Sequence, residues 1–197
     1  MKIYLNNKEM ENEYKFMPLD ELFTYIQKNL KDKIVKVIKV DGVEIKPKDF
    51  CKMKKDNINS IRFITQETKE LIKETLVEVE NYLPRLKEGI LDLAELYRNG
   101  KLEKTNQKYQ LIVDGVEWYV SVMNKIISLK ESNEDDEDTI DQYFKNMQRL
   151  NKFLEEIVIA KENDDFILIA DIFRYEIVDV IENFRQINKK LGNIYCG

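Results

Sequence analysis

The chain contains no histidine. That removes the commonest general base and the commonest transition-metal ligand, which counts against catalysis without excluding it. Cysteine is scarce: Cys51 and Cys196 form no Cys-x-x-Cys pair and no disulfide framework, and both are expected as reduced thiols. No apolar run approaches the roughly 20 residues that a membrane helix needs, so no membrane insertion is expected. The stretch MKIYLNNKEM lacks the apolar core of a signal peptide, and the expected location is the cytoplasm. No phosphate-binding glycine loop and no nucleophile elbow occurs. Metal sites inside helical bundles use inward Glu residues and Glu-x-x-His pairs, which a histidine-free chain cannot form. Neither metal nor cofactor is implied.

What is present is the composition of a folded, water-soluble protein, with 43% hydrophobic and 35% charged residues. The net charge of -5 is unevenly distributed. Residues 1–64 carry 14 Lys and Arg against 10 Asp and Glu, a balance of +4, whereas the remainder carries 18 against 27, a balance of -9. Two domains are expected, 1–64 and 65–197. Without a sustained basic surface to neutralise phosphates, a nucleic-acid partner is not expected.

The pentapeptide VDGVE occurs twice, at 40–44 and at 113–117. At its first occurrence it sits between IVKVIKV and VEIK, and Asp-Gly between two β-branched runs predicts a type I′ hairpin. Upstream, KIYLN and EYKFM predict a second strand pair. Pro18 then opens a helix with Leu22, Phe23, Ile26 and Leu30 at helical spacing, and NSIRFI (59–64) supplies a last strand. This order of elements resembles the β-grasp, or ubiquitin-like, fold. The resemblance rests on order and length, and the Gly-Gly tail through which that family's carriers act is replaced here by a direct run into a helix at Gln66-Glu67-Thr68.

Around the second VDGVE, YQLIVDGVEWYV has strand-favouring residues on both sides, yet the wider pattern predicts a helix. Leu102, Asn106, Tyr109, Val113, Val116, Val120, Met123 and Ile127 alternate steps of four and three, the seam of a bundle helix. Similar seams run through Leu76–Tyr97, Ile140–Lys161 and Phe166–Leu191. The first and third are related by an offset of 64 residues, as are the second and fourth, with turns at Asn99-Gly100-Lys101 and Asn163-Asp164-Asp165. Two helical hairpins pairing their stripes predict a four-helix bundle over 65–197, making the whole chain α+β. The acidic stretch near 130–139 joins the hairpins; it lacks the spacing and glycine of a calcium loop.

Candidate binding residues lie off the seams. Leu111, Gly115, Trp118 and Val122 form a second stripe, with glycine where another backbone could approach. Leu168, Ile172 and Tyr175 form a comparable one. Each is either packing surface or a groove for a partner segment. Lys46, Lys48, Lys52, Lys54 and Lys55 make a basic patch, either a docking site for an acidic partner or a solvated loop. Asp171, Arg174, Glu176 and Asp179 are expected in surface ion pairs.

The segments LPRLKEGILDLAELYRNGKLEKTNQKYQLIVDGVEWYVSVM and LNKFLEEIVIAKENDDFILIADIFRYEIVDVIENF resemble the small helical export chaperones that bind flagellin before secretion. The resemblance implies a non-enzymatic cytoplasmic protein that binds a protein client or partner helix, with a flagellar or other secreted client. Two alternatives stay open from the residues: an enzyme using Asp171 and Glu176 or the Cys51 thiol, and a small-ligand-sensing module, each with its site between the domains.

Overall fold

The computed structural model describes residues 1–129 and 137–196, and the chain divides into two compact units, Met1–Leu71 and Ile72–Gly197. The Cys196 side chain and residues 130–136 of the expected acidic loop lie outside the described residues. Cys51 is a half-buried free thiol.

The first unit holds a five-stranded sheet of order β2-β1-β5-β3-β4. Its strands are β1 (Lys2–Leu5), β2 (Lys8–Glu9), β3 (Lys33–Val40), β4 (Val43–Ile45) and β5 (Ser60–Glu67). β1 runs parallel to β5, and the other neighbours are antiparallel. Helix α1 (Leu19–Asn29) buries Leu19, Leu22 and Ile26 in a core with Ile3, Ile38, Ile61 and Phe63.

The first VDGVE is the turn between β3 and β4. Asp41 (φ 48) and Gly42 (φ 86) both take the left-handed conformation of a type I′ turn. The Asp41 carboxylate accepts the backbone N–H of Asn59 at 3.1 Å and of Ser60 at 2.6 Å, tying the hairpin to the start of β5. These bonds hold its pKa below the usual carboxylate value.

The expected partner of the first strand is corrected. EYKFM is not a strand: Asn12–Phe16 form a 3-10 turn, and β1 pairs with the two-residue β2. The turn chemistry is Asn6-Asn7, with Asn6 at φ 55 and its side-chain oxygen accepting from the Thr65 backbone N–H at 2.8 Å. Asparagine tolerates this conformation because its short polar side chain bonds locally. The lysine-rich loop also carries structure: the helical turn α2 (Pro47–Phe50) delivers Phe50, fully buried, edge-on to Phe63 at 5.5 Å.

The second unit is helical, with α3 (Thr68–Arg98), α4 (Thr105–Leu129), α5 (Glu137–Glu162) and a run over 166–196. That run comprises α6 (Phe166–Asp171), a π-helical turn (Ile172–Ile177) and α7 (Val178–Cys196). The second VDGVE lies inside α4, and Asp114 now accepts from Gln110 one turn back at 2.7 Å. Identical residues therefore make a turn in one place and a helix in the other, because the flanking periodicity differs.

The two inter-helix turns, 64 residues apart, close in the same way. Lys101 N–H donates to Leu96 O at 3.0 Å and Gly100 N–H to Tyr97 O at 3.1 Å; Asp165 N–H donates to Ala160 O at 2.9 Å and Asp164 N–H to Lys161 O at 3.2 Å. Gly100 (φ 65) and Asp164 (φ 55) take the left-handed position that ends a helix in a Schellman motif. Asn99 and Asn163 each donate their side-chain amide to the carbonyl four residues back at 2.8 Å. Asp165 then caps α6 by accepting from Leu168 N–H at 2.9 Å.

All seven positions of the α3 seam, Leu76 to Tyr97, are buried, and the 166–191 seam is buried from Ala170 onward. Of the acidic loop, Glu137–Thr139 form the first turn of α5. Among the described residues, no helix is long and apolar enough to cross a membrane.

Candidate functional site

α4 buries a face rotated from the expected seam. Its core side is Ile112, Gly115, Tyr119, Met123 and Ile126, whereas Val113, Val116, Val120 and Ile127 are only half-buried. The rotation follows from Gly115. A Cβ there would lie 2.2 Å from the Tyr82 hydroxyl oxygen and 3.0 Å from Leu86 Cδ1, so α3 fills the notch with its own tyrosine. The Tyr82 ring meets Trp118 edge-on at 4.6 Å, and the Arg85 guanidinium lies 5.8 Å from its centroid. Burial pushes the Tyr82 hydroxyl pKa up.

The two candidate stripes therefore do not stay on the surface as units. Leu111 is 62% exposed and Trp118 37%, but Gly115 is buried against α3 and Val122 packs on the core. Leu168 and Tyr175 are exposed, while Ile172, at 4%, is a core residue within the π-helical turn. Of the basic patch, Lys46, Lys48, Lys52 and Lys54 are exposed. Lys55 is half-buried, donates to the Met17 carbonyl, and has its pKa lowered by burial, which makes it a structural lysine. Asp171 pairs with Arg98, Arg174 with Glu95, and Asp179 with Arg149 at 2.9 Å.

Gly115→Ala tests the notch. Alanine gains about 1 kcal/mol of helix propensity over glycine, but the added methyl must displace the far end of the Tyr82 side chain. The expected result is a stability change within about 1 kcal/mol together with a shifted emission spectrum of Trp118, the single tryptophan. Unchanged emission would show that Tyr82 does not fill the notch.

Polar links join three pairs of the helical runs. α3 joins the 166–196 run through Arg98–Asp171, Arg174–Glu95, Lys87–Glu182 at 3.1 Å and Arg185–Glu80 at 3.0 Å. α5 joins α7 through Arg149–Asp179, and through the buried Asn146 side chain donating to Val180 O at 2.8 Å. α3 and α4 are bridged by Lys108–Asp92 at 2.6 Å. Between α4 and α5 no hydrogen bond or ion pair occurs among the described residues. What joins them is aromatic and apolar: Tyr119 with Tyr143 at 6.4 Å, and the Lys161 ammonium 5.8 Å from the Tyr109 ring centroid.

The α4–α5 seam is open. A groove of about 480 Å³ runs along it, floored by Val116, Val120, Met147, Leu150 and Leu154. Its rim is polar, from Glu117, Ser121, Asn124 and Asn151. Four of the five floor residues are half-buried, at seam positions that the heptad pattern assigns to a core. The heptad pattern places these residues inside, but α4 carries adjacent apolar pairs, enough for two faces.

A family model described as a domain of unknown function, DUF8042, matches residues 74–187, more than half of the chain. The chain belongs to the DUF8042 family. The match begins in α3 and ends in α7, so the groove walls α4 and α5 both lie within the DUF8042 segment, and the N-terminal sheet lies outside it. No curated protein and no solved structure matches the chain.

Proposed function

We propose that this DUF8042 protein is a non-enzymatic, cytoplasmic protein-binding factor, a chaperone or accessory protein for flagellar or other secreted clients. In this reading the helical unit is a four-helix bundle that takes a client segment into the α4–α5 groove, and the N-terminal unit is a β-grasp-like domain. The observation that carries it is the half-covered seam: apolar residues at core-type spacing, left open by the chain itself over about 480 Å³. Concave, mostly apolar surfaces with a few polar groups at the rim suit peptide recognition. The N-terminal assignment is supported by the mixed five-stranded sheet with α1 packed on one face.

The test replaces Val120 and Leu154 together by Asn in the full chain and compares it with Trp118→Ala, on the α3 side of α4. The groove variant is expected to lose at least about tenfold of the protein recovered with it from the native host, as a weakened Kd below saturation would produce. Trp118→Ala is expected to leave recovery unchanged. Equal recovery with all three proteins would remove the groove from the proposal.

A further inference from the structure

We infer that the sheet face turned away from α1 binds a phosphate monoester carrying a flat ring, with the phosphate held between Arg62 and Lys39. The site lies in the N-terminal unit, outside the DUF8042 segment, and stands independently of the α4–α5 groove.

The strand registers bring the charge together. Ile3, Ile38, Ile61 and Phe63 point into the core with α1, so the alternate residues of β1, β3 and β5 stand on the opposite face. There Tyr4 on β1 lies opposite Arg62 on β5, and Arg62 lies opposite Lys39 on β3. Like charges directly opposite one another on paired strands destabilise a sheet. Neither cation has an ion pair among the described residues. Arg62 leans on its other neighbour, its guanidinium carbon 5.2 Å from the Tyr4 ring centroid. Two nearby carboxylates leave the cation pair unanswered. Glu44, exposed on β4, is opposite Lys39 on the side away from Arg62 and has no ion pair with it among the described residues. Asp41 is taken up by the backbone N–H groups of Asn59 and Ser60 and by the Ser60 hydroxyl at 3.2 Å.

A cavity of about 300 Å³ opens over this row, lined by Tyr4, Lys39, Gly42, Ser60, Arg62 and Ile64. Its charged lining is wholly basic. Lys39 is half-buried, so its charge is screened less than that of a fully solvated lysine. Two positive charges side by side balance a dianion, which selects a phosphate monoester over a carboxylate, and the planar guanidinium fork matches phosphate oxygens. The half-buried Tyr4 ring and Ile64 side chain add aromatic and apolar surface beside the cations, which suits a flat ring on the ester. At Gly42 no atom lies within 4 Å of where a Cβ would stand, so that end of the cavity is unobstructed.

Binding is read on the full-length protein from the backbone amide resonances of β3 and β5, at constant ionic strength and about pH 8, where the monoester is a dianion. The probes are phenyl phosphate, inorganic phosphate and benzoate. Phenyl phosphate is expected to shift the Lys39 and Arg62 amides, and to bind at least tenfold tighter than benzoate and at least threefold tighter than inorganic phosphate. Lys39→Gln and Arg62→Gln should each weaken it at least tenfold. Lys46→Gln with Lys48→Gln, in the exposed lysine-rich loop, should leave it unchanged. Because Lys39→Gln also removes the like-charge contact, the ligand-free variant should keep the dispersed sheet resonances of the original chain, so that lost binding is not lost fold. Collapse of those resonances in Lys39→Gln would overturn the charge argument. Absence of shifts in β3 and β5 with every probe, equal affinity for benzoate and phenyl phosphate, or an equal loss in the loop variant would overturn the site. Equal affinity for phenyl phosphate and inorganic phosphate would overturn the ring.

Discussion

Phe184→Ala is expected to lower the stability of the helical unit by about 3–5 kcal/mol. Phe184 is fully buried, with the Tyr119 ring centroid 4.6 Å away and that of Tyr143 at 5.8 Å. These three rings come from α7, α4 and α5, so the substitution removes the central member of a cluster in which three helical runs meet. Aromatic pairs at such distances add to the area they bury. The rings around the cavity cannot collapse into it without moving their hydroxyls, and the cost of a large-to-small change rises with the cavity that remains. Phe144→Ala is the control: its ring also lies near Tyr143, at 5.4 Å, but is exposed, and a loss below about 1.5 kcal/mol is expected. Denaturant unfolding followed by the helical circular dichroism signal checks both. Similar losses for the two variants would mean that the aromatic cluster is not the centre of the core.

How much of this architecture is legible in the sequence depends on whether one face of an element is unambiguous. On α3 the positions Leu76, Val79, Leu83, Leu86, Ile90 and Leu93 keep unbroken steps of three and four, and all are buried, although some have an apolar neighbour in sequence such as Val77 or Leu91. Asp41-Gly42 is equally legible, because few dipeptides take positive φ at both positions. On α4 the apolar residues come in adjacent pairs, Ile112-Val113, Tyr119-Val120 and Ile126-Ile127. The period alone accepts either member of each pair. What decides is tertiary: only the absent side chain of Gly115 admits the Tyr82 hydroxyl and Leu86, and that turns the first member of each pair inward. The groove follows from the same rotation, since Val120, the second member of the middle pair, is then left along the α5 side.

Other features are illegible for local reasons. The hairpin at Asn6-Asn7 lacks the glycine that usually announces such a turn, and EYKFM alternates polar and apolar residues as a strand does yet folds as a 3-10 turn. Phe50 sits in a lysine-rich stretch whose composition suggests solvent, yet one helical turn is enough to bury it fully. In the last helix, FILIADIFRYEI places apolar residues closer together than a regular stripe accommodates, and the π-helical turn lets Ile172, Phe173 and Ile177 all face the core. Asp171, just before the turn, and Arg174, within it, are tied to α3 by ion pairs, so the first half of the irregular turn is held at both ends.

Stability of the helical unit is expected to fall as pH rises from about 10 to about 12, and Tyr143→Phe to flatten that fall. The Tyr119 and Tyr143 hydroxyls are buried and have no hydrogen-bond partner among the described residues. Burial raises both pKa values, that of Tyr143 to about 12. An unfolded tyrosine loses its proton near 10. Below that pH both states hold the proton and the packing of the neutral rings is fully retained. Between the two values the unfolded chain binds fewer protons than the folded one, so each step up in pH favours unfolding. A displacement of two pH units at Tyr143 corresponds to about 3 kcal/mol lost across the window. Tyr14, in the N-terminal unit, also titrates near 12, held there first by its hydrogen bond with Tyr25. The measurement is therefore the helical signal, compared between the original chain and Tyr143→Phe at matched pH. At neutral pH the variant should be as stable or more so, because an unpaired buried hydroxyl costs about 1–3 kcal/mol. Parallel pH profiles would show that Tyr143 reaches solvent or a partner, and with it that the core around Phe184 is less closed than its packing implies.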